Sequence, residues 1–483
     1  MMVSTACVMR TAFWSPRPES RNSPPTGARL SSCSSGRGST GGYAHSRRTH
    51  RSMDHQALAR DLVRRCRYDV MQAVTDVIRI PSQNRPPTGE ELAVQQYMAA
   101  YLARAGLPVE LYRPDEVPGL RDHPEFWPGR DYTDRPNLSS RLRGRGGGGR
   151  SLLLTGHSDT VVLGENAWRY PPFGAEIHDG KLYGLGASDM KGQMAAMMVL
   201  YRTIAEAGIA LRGDLAFESV VDEEEGGVNA TIAGRLRDGV MDGAILPEAT
   251  GLDIYPAVRG ALILNIYFGG SGTWLDVGKA EKQADAVAQL GVFLTHLDEL
   301  RQRRRAHPVP AIYQVYPDPA PVQVTKVYAG GWGSDVPIAV PSEARVELIA
   351  QTLPGEEKEA CRREFDDWLE EVVRRHPDVF PARPRVEPKL RWMHPSQTDT
   401  NHPLITLLTE CVGRVSERAP AVKGAPYSCD IWALQRTFGM PAAVFGPTGG
   451  NSHAADEYVE VDSLFTFLEA LALFILEWCE VAE

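Results

Sequence analysis

The side chains best suited to bind divalent metals or move protons in this chain each follow a short apolar run. Leu152-Leu153-Leu154 leads into Thr155-Gly156-His157-Ser158-Asp159, and the run at 215–221 leads into Asp222-Glu223-Glu224-Glu225-Gly226-Gly227. The run at 243–246 leads into Pro247-Glu248, and the run at 441–445 reaches His453 through a glycine-rich loop. Another acid, Asp189, lies in Gly184-Leu185-Gly186-Ala187-Ser188-Asp189-Met190-Lys191-Gly192, close to the start of a helix running to Ala207. Read alone, Asp189 is a helix N-cap, Glu223 to Glu225 a solvated charge run and His157 a core histidine. Read together, two imidazoles and three carboxylates suit zinc or a similar ion. The set is too rich for one tetrahedral ion, whereas two ions sharing a bridging carboxylate use it and leave a position for water. Asp159, two residues beyond His157, is placed to accept the other ring N–H and fix its tautomer.

Such side chains must be brought together by a scaffold. Short apolar runs without alternation are expected of strands buried on both faces of a parallel sheet, and helical stretches lie between them. That alternation is the pattern of an open α/β sheet, here a three-layer sandwich, whose ligands sit beyond the carboxyl ends of the strands. Helical spacing is also visible in Leu58, Leu62, Val70, Val74 and Val77, and again over 90–105. Residues 257–393 change style. Strand 261–268, helix 281–301, strands 322–327 and 344–349, helix 356–375 and strand 385–391 follow the split β-α-β-β-α-β order of a ferredoxin-like unit. The expected domains are therefore a catalytic part 53–256, an inserted unit 257–393 and a second catalytic part 394–483. Residues 1–52 are rich in Ser, Arg, Gly and Pro, with Glu19 as their only acid. They read as a disordered extension resembling a transit peptide, or as a mis-assigned start with Met53 as the true one.

A formal net charge of −9 argues against a nucleic-acid surface and leaves small-molecule chemistry as the expectation. Seven scattered cysteines without C-x-x-C pairing disfavour a disulfide framework and a thiolate zinc site, and fit a reducing, cytoplasmic compartment. The apolar stretch 464–478 carries Glu469 and Glu477 and reads as a core-facing terminal helix, not a membrane span. Arg301, Arg303, Arg304 and Arg305 read as a solvated helix end favourable to the dipole, and Cys429 as a buried inert thiol.

From Met53 onward the chain resembles the co-catalytic zinc hydrolases that include acetylornithine deacetylase, succinyl-diaminopimelate desuccinylase, aminoacylase and carboxypeptidase G. The resemblance rests on Gly156-His157-Ser158-Asp159, on the stretch from Trp168 to Gly192 with Asp189-Met190-Lys191-Gly192, and on Asp222-Glu223-Glu224-Glu225-Gly226-Gly227. It implies that Glu223 is the general base and that Glu248 pairs with His157 on one ion. Glu224 and His453 then hold the other ion, with Asp189 bridging; the ions are two Zn2+, with Co2+ or Mn2+ as substitutes. It also implies that the inserted unit is a lid through which the protein forms a homodimer. The lid histidine usual in these relatives has no counterpart between His178 and His296, where Gly270-Ser271-Gly272-Thr273-Trp274 stands in its place. Oxyanion stabilisation would then fall to a second metal contact, to Trp274 N–H or to a backbone group. Gln351 occupies the position of an arginine that commonly binds a substrate carboxylate. The expected function is an N-acyl (acetyl, succinyl or formyl) deacylase acting on a small amine. A metallo-carboxypeptidase or dipeptidase is the alternative, and a non-catalytic binding or assembly protein the reading from another class.

Overall fold

The computed structural model describes residues 54–274 and 283–482. The expectation for 1–52 lies outside them, as do Glu281 and Lys282 at the expected start of the helix 281–301.

The apolar runs form the centre of a nine-stranded sheet. Its strands are β1 (Glu110–Tyr112), β2 (Asn137–Leu142), β3 (Leu152–His157), β4 (Leu215–Val220), β5 (Ala244–Leu246), β6 (Ile254–Val258), β11 (Ser396–Gln397), β12 (Val422–Gly424) and β13 (Ala442–Val444). They lie in the order β11-β6-β13-β5-β3-β4-β2-β1, with β12 also on β6. The central pairs β13/β5, β5/β3 and β3/β4 are parallel, while β6/β13, β4/β2 and β2/β1 are antiparallel. Every residue of β3, β4 and β5 is buried, as strands covered on both faces require.

Helices α1 (His55–Arg79), α2 (Leu92–Ala103), α3 (Lys191–Glu206), α4 (Asn229–Asp238), α7 (Pro403–Val415) and α8 (Val461–Trp478) cover that sheet. Successive residues of a strand point to opposite faces. Phe217 of β4 meets the ring of Tyr201 on α3 at 5.9 Å, whereas its neighbour Glu218 binds Arg235 of α4 at 2.7 Å. The two helices therefore lie on opposite faces, giving three layers. Helix α1 is capped by Asp54, whose carboxylate accepts from Gln56 N and Ala57 N, and it buries Leu62, Val70, Val74 and Val77. Helix α8 is buried along most of its length, and no helix among the described residues is long and apolar enough to cross a membrane.

Between β6 and β11 a separate four-stranded antiparallel sheet is built from β7 (Gly260–Gly269), β8 (Val322–Ala329), β9 (Glu343–Thr352) and β10 (Arg385–Pro388), in the order β8-β9-β7-β10. With α5 (Ala286–Arg305) and α6 (Lys358–Arg375) it makes the split β-α-β-β-α-β arrangement. It has its own core, in which Phe293 packs edge-on against Phe268 at 5.4 Å and Trp368 at 5.3 Å.

Three local expectations are corrected. Helix α5 begins at Ala286, because Asp285 caps its first amides at Val287 N (2.9 Å) and Ala288 N (3.0 Å). Strand β10 ends at Pro388, which has no N–H to extend the ladder. The arginines ending α5 are not all solvated: Arg304 is buried and donates to Glu356, just before α6, and to Glu364 within it, at 2.6 and 3.0 Å.

Candidate metal centre

Strand β3 ends at His157, so its ring stands at the carboxyl edge of the sheet. Its Nδ1 lies 3.0 Å from the main-chain oxygen of Asp159. Because a carbonyl can only accept, Nδ1 carries a proton, which leaves Nε2 as the ring atom that could take a metal. That Nε2 is buried without a hydrogen-bond partner, 3.2 Å from Asp189 Oδ1 and 3.4 Å from Glu248 Oε1. A second cluster stands beside it: His453 Nε2 is 2.9 Å from Glu224 Oε2 and 3.2 Å from Asp189 Oδ2. Asp189 thus gives one oxygen to each imidazole. In each triad, His157/Asp189/Glu248 and Asp189/Glu224/His453, the ligand atoms lie within 4.8 Å of one another. Two imidazole nitrogens and three carboxylates facing one another, with Asp189 shared, are the donor set a pair of divalent cations fits.

The expected role of one side chain changes. Asp159 does not orient the imidazole with its carboxylate, whose Oδ1 is 3.6 Å from Nδ1. The main-chain oxygen does so, because the chain turns after β3. The carboxylate instead accepts from Asn84 Nδ2 (2.9 Å) and from Glu224 N (3.0 Å), fixing the turn that carries a candidate ligand. Asp189 is not a helix cap: α3 starts at Lys191 with Met190 as its N-cap, leaving the Asp189 carboxylate free to face the histidines.

Glu223, next to Glu224 in the chain, stands slightly back, with Oε2 at 3.8 Å from His157 Nε2. Burial and the neighbouring Asp189 charge push the Glu248 carboxyl up to about 8 and that of Glu224 up to about 7. Burial holds Glu223 well above the usual carboxylate range. Acids this close are short of positive charge, which bound cations would supply.

The turn bearing Glu223 and Glu224 has a left-handed residue, Asp222 (φ 64°), and closes so tightly that a Cβ on Gly227 would sit 1.5 Å from Asp222 O. The Asp222 carboxylate accepts from Tyr132 Oη (2.8 Å), Asn84 Nδ2 (3.2 Å) and Arg135 Nη2 (3.3 Å). Arg135 is wholly buried and also binds Glu91 Oε1 at 2.6 Å. Removing one partner of a buried ion pair strands the other charge, typically at about 3–5 kcal/mol. Arg135→Met is therefore expected to lower unfolding free energy in urea by about 3–5 kcal/mol; a loss under about 1 kcal/mol, the level of a surface pair, would contradict this account of the turn.

A cavity of about 490 Å³ opens over the two triads. Ile263, Ile349, Leu390 and Met393 give it an apolar wall, and Tyr427 and Ser428 line it with buried hydroxyls that have no partner. Trp274 is not in its wall and is 64% exposed. Gln351 is in the wall, and its Oε1 accepts from Arg259 Nη1 at 2.6 Å. The amide oxygen is thereby held against a buried cation that sequence reading missed. Cys429 is buried beside Glu248 and Glu223, and burial pushes its thiol well up.

Residues 153–477 match the family described as Peptidase family M20/M25/M40. The chain is 25% identical over 422 residues to an N-formyl-4-amino-5-aminomethyl-2-methylpyrimidine deformylase of Bacillus subtilis, covering 82% of this chain and 91% of the relative. It is 30% identical over 407 residues to a succinyl-diaminopimelate desuccinylase of a Methylobacterium species, covering 80% and 90%. Among solved structures, a dipeptidase of Saccharomyces cerevisiae superposes with a TM-score of 0.68 at 14% identity, covering 89% of this chain and 100% of the other. At that identity the likeness is one of fold.

Proposed function

We propose, from the premise that this chain belongs to peptidase family M20/M25/M40, that it is a metal-dependent hydrolase of linear amides that removes an N-acyl group from a small amine. The observation that carries this reading is the pair of triads sharing Asp189, with Glu223 beside them. His157 and Glu248 would hold one ion, Glu224 and His453 the other, and Asp189 both. Zinc suits this nitrogen and oxygen donor set, with cobalt or manganese as substitutes, and when bound would polarise the carbonyl and acidify water.

The chain's own residues supply the rest. Glu223 takes a proton from water as the hydroxide oxygen bonds to the carbonyl carbon. The C–N bond then breaks, the same proton passes to the departing nitrogen, and the products are an amine and a carboxylic acid. The unpartnered Tyr427 and Ser428 hydroxyls give the cavity donors that exposed Trp274 does not.

Residues 257–393 act in this reading as an inserted lid, since Ile263, Ile349, Gln351 and Leu390 form part of the cavity wall. The outer strand β8 exposes Val327 and Tyr328, and the following turn exposes Trp332 and Ile338, which supports a homodimer through the lid. The free, buried thiols of Cys66, Cys361, Cys411, Cys429 and Cys479 support a cytoplasmic setting.

A panel of N-formyl, N-acetyl and N-succinyl amines, set against dipeptides and assayed with zinc or cobalt restored, tests the substrate class. At least one N-acyl amine is expected to turn over with a kcat/KM of about 10⁴ M⁻¹s⁻¹ or more, as befits a native substrate class, and to exceed every dipeptide. Faster cleavage of dipeptides would favour the peptidase alternative, and no cleavage at all the non-catalytic one.

A further inference from the structure

Glu457 is an acid that the proposed chemistry does not use, yet it is 1% exposed. Its Oε1 accepts from Ser188 N (2.7 Å) and Asp189 N (2.9 Å), and its Oε2 accepts from Gly186 N (3.0 Å). These three amides belong to the loop that presents Asp189. Four residues before Glu457 in the chain stands His453. The same segment is stitched to the loop at further points: Glu457 O accepts from Gly184 N at 2.9 Å, Ser452 Oγ lies 3.3 Å from Ser188 Oγ, and Tyr458 pairs with Tyr183. Asp456 next door accepts from Arg169 N (2.8 Å) and Tyr170 N (3.2 Å).

We infer that Glu457 is a positioning residue whose carboxylate sets the spacing between Asp189 and His453, and so builds the second of the two candidate metal triads. The inference rests on the metal-centre reading and deepens it. A buried carboxylate is costly unless its oxygens are satisfied, and three amide donors satisfy it. Conversely, without it three N–H groups of the Asp189 loop lose their acceptor, and the loop must rearrange to find others. The first triad shares Asp189 but takes its other two members from the central sheet, His157 at the end of β3 and Glu248 just after β5. The second takes only Glu224 from the end of a central strand, β4; Asp189 and His453, whose backbone is left-handed (φ 62°), sit on loops held together by the Tyr458–Tyr183 pairing and the Glu457 contacts.

The variant E457Q keeps size and one acceptor oxygen but turns an amide N–H₂ towards a loop N–H, while E457A removes every acceptor. Zinc affinity of both intact variants, measured by competition with a chromophoric chelator alongside wild type, tests the inference. In E457Q the second equivalent is expected to bind about 10- to 100-fold more weakly, the range for loss of an outer-shell partner, and the first, which keeps His157 and Glu248, to lose distinctly less, with E457A weaker again at the second equivalent. Melting of the metal-free proteins shows that both variants are folded. Two equivalents bound as in wild type, or both weakened equally, overturn the positioning role. A wild-type protein that binds no zinc overturns the metal-centre reading itself, and this inference with it.

Discussion

Glu223→Gln is expected to lower kcat by about 10²- to 10⁴-fold, the usual contribution of a positioned general acid–base, while zinc binding stays as in wild type. Glu223 Oε2 is 3.8 Å from His157 Nε2, farther than Asp189 and Glu248 in the triad, and neither triad includes it. Its carboxylate, held well above the usual range chiefly by burial, is suited to take a proton and give it back. The amide of Gln fills the same space and cannot do so. Activity assays paired with metal analysis separate this from a structural effect: loss of both metal and activity would make Glu223 a ligand, and retention of both would remove its role as base.

Asp189→Ala should behave in the opposite way with respect to metal. Asp189 gives Oδ1 to the His157 side and Oδ2 to the His453 side, so its removal takes a donor from both triads at once. Loss of an outer partner of a metal ligand already costs 10- to 100-fold in affinity or activity. Loss of a shared ligand is expected to cost about 100-fold or more at both equivalents, and to leave turnover near background. If Asp189→Ala weakened one equivalent and spared the other, Asp189 would be a ligand of a single ion and the bridge would be wrong.

Much of this site was legible in the sequence because parallel strands carry their functional residues at the carboxyl ends. The apolar runs before His157, Glu224 and Glu248 marked three such ends, and β3, β4 and β5 lie where those runs stand. Resemblance to known hydrolases separated Glu223 from Glu224, which an unbroken run of acids cannot do by itself. The supports were harder to read. Asn84, from a two-residue strand, and Tyr132 and Arg135, from a loop, reach the Asp222 turn without any periodic pattern, and nothing in their spacing points to it. Glu457, in an Asp-Glu pair near the C-terminus, looks like surface until the loop of Asp189 is folded against it. For Asp159 the spacing from His157 was informative about proximity but not about which atom would be used, and the main-chain oxygen takes the ring N–H. The flanking strand β2 was missed since Ser139, Ser140 and Arg141 break any apolar run, their polar groups being met by Asp238, Tyr201 and Asp214.

The central claim is that His157, Asp189, Glu224, Glu248 and His453 together hold a pair of divalent ions. Zinc titration of the dialysed wild-type protein, read by elemental analysis and calorimetry, tests it most directly. The account predicts saturation at about two equivalents per chain, as a two-metal site requires; saturation at about one, or no uptake with all five side chains intact, would contradict it.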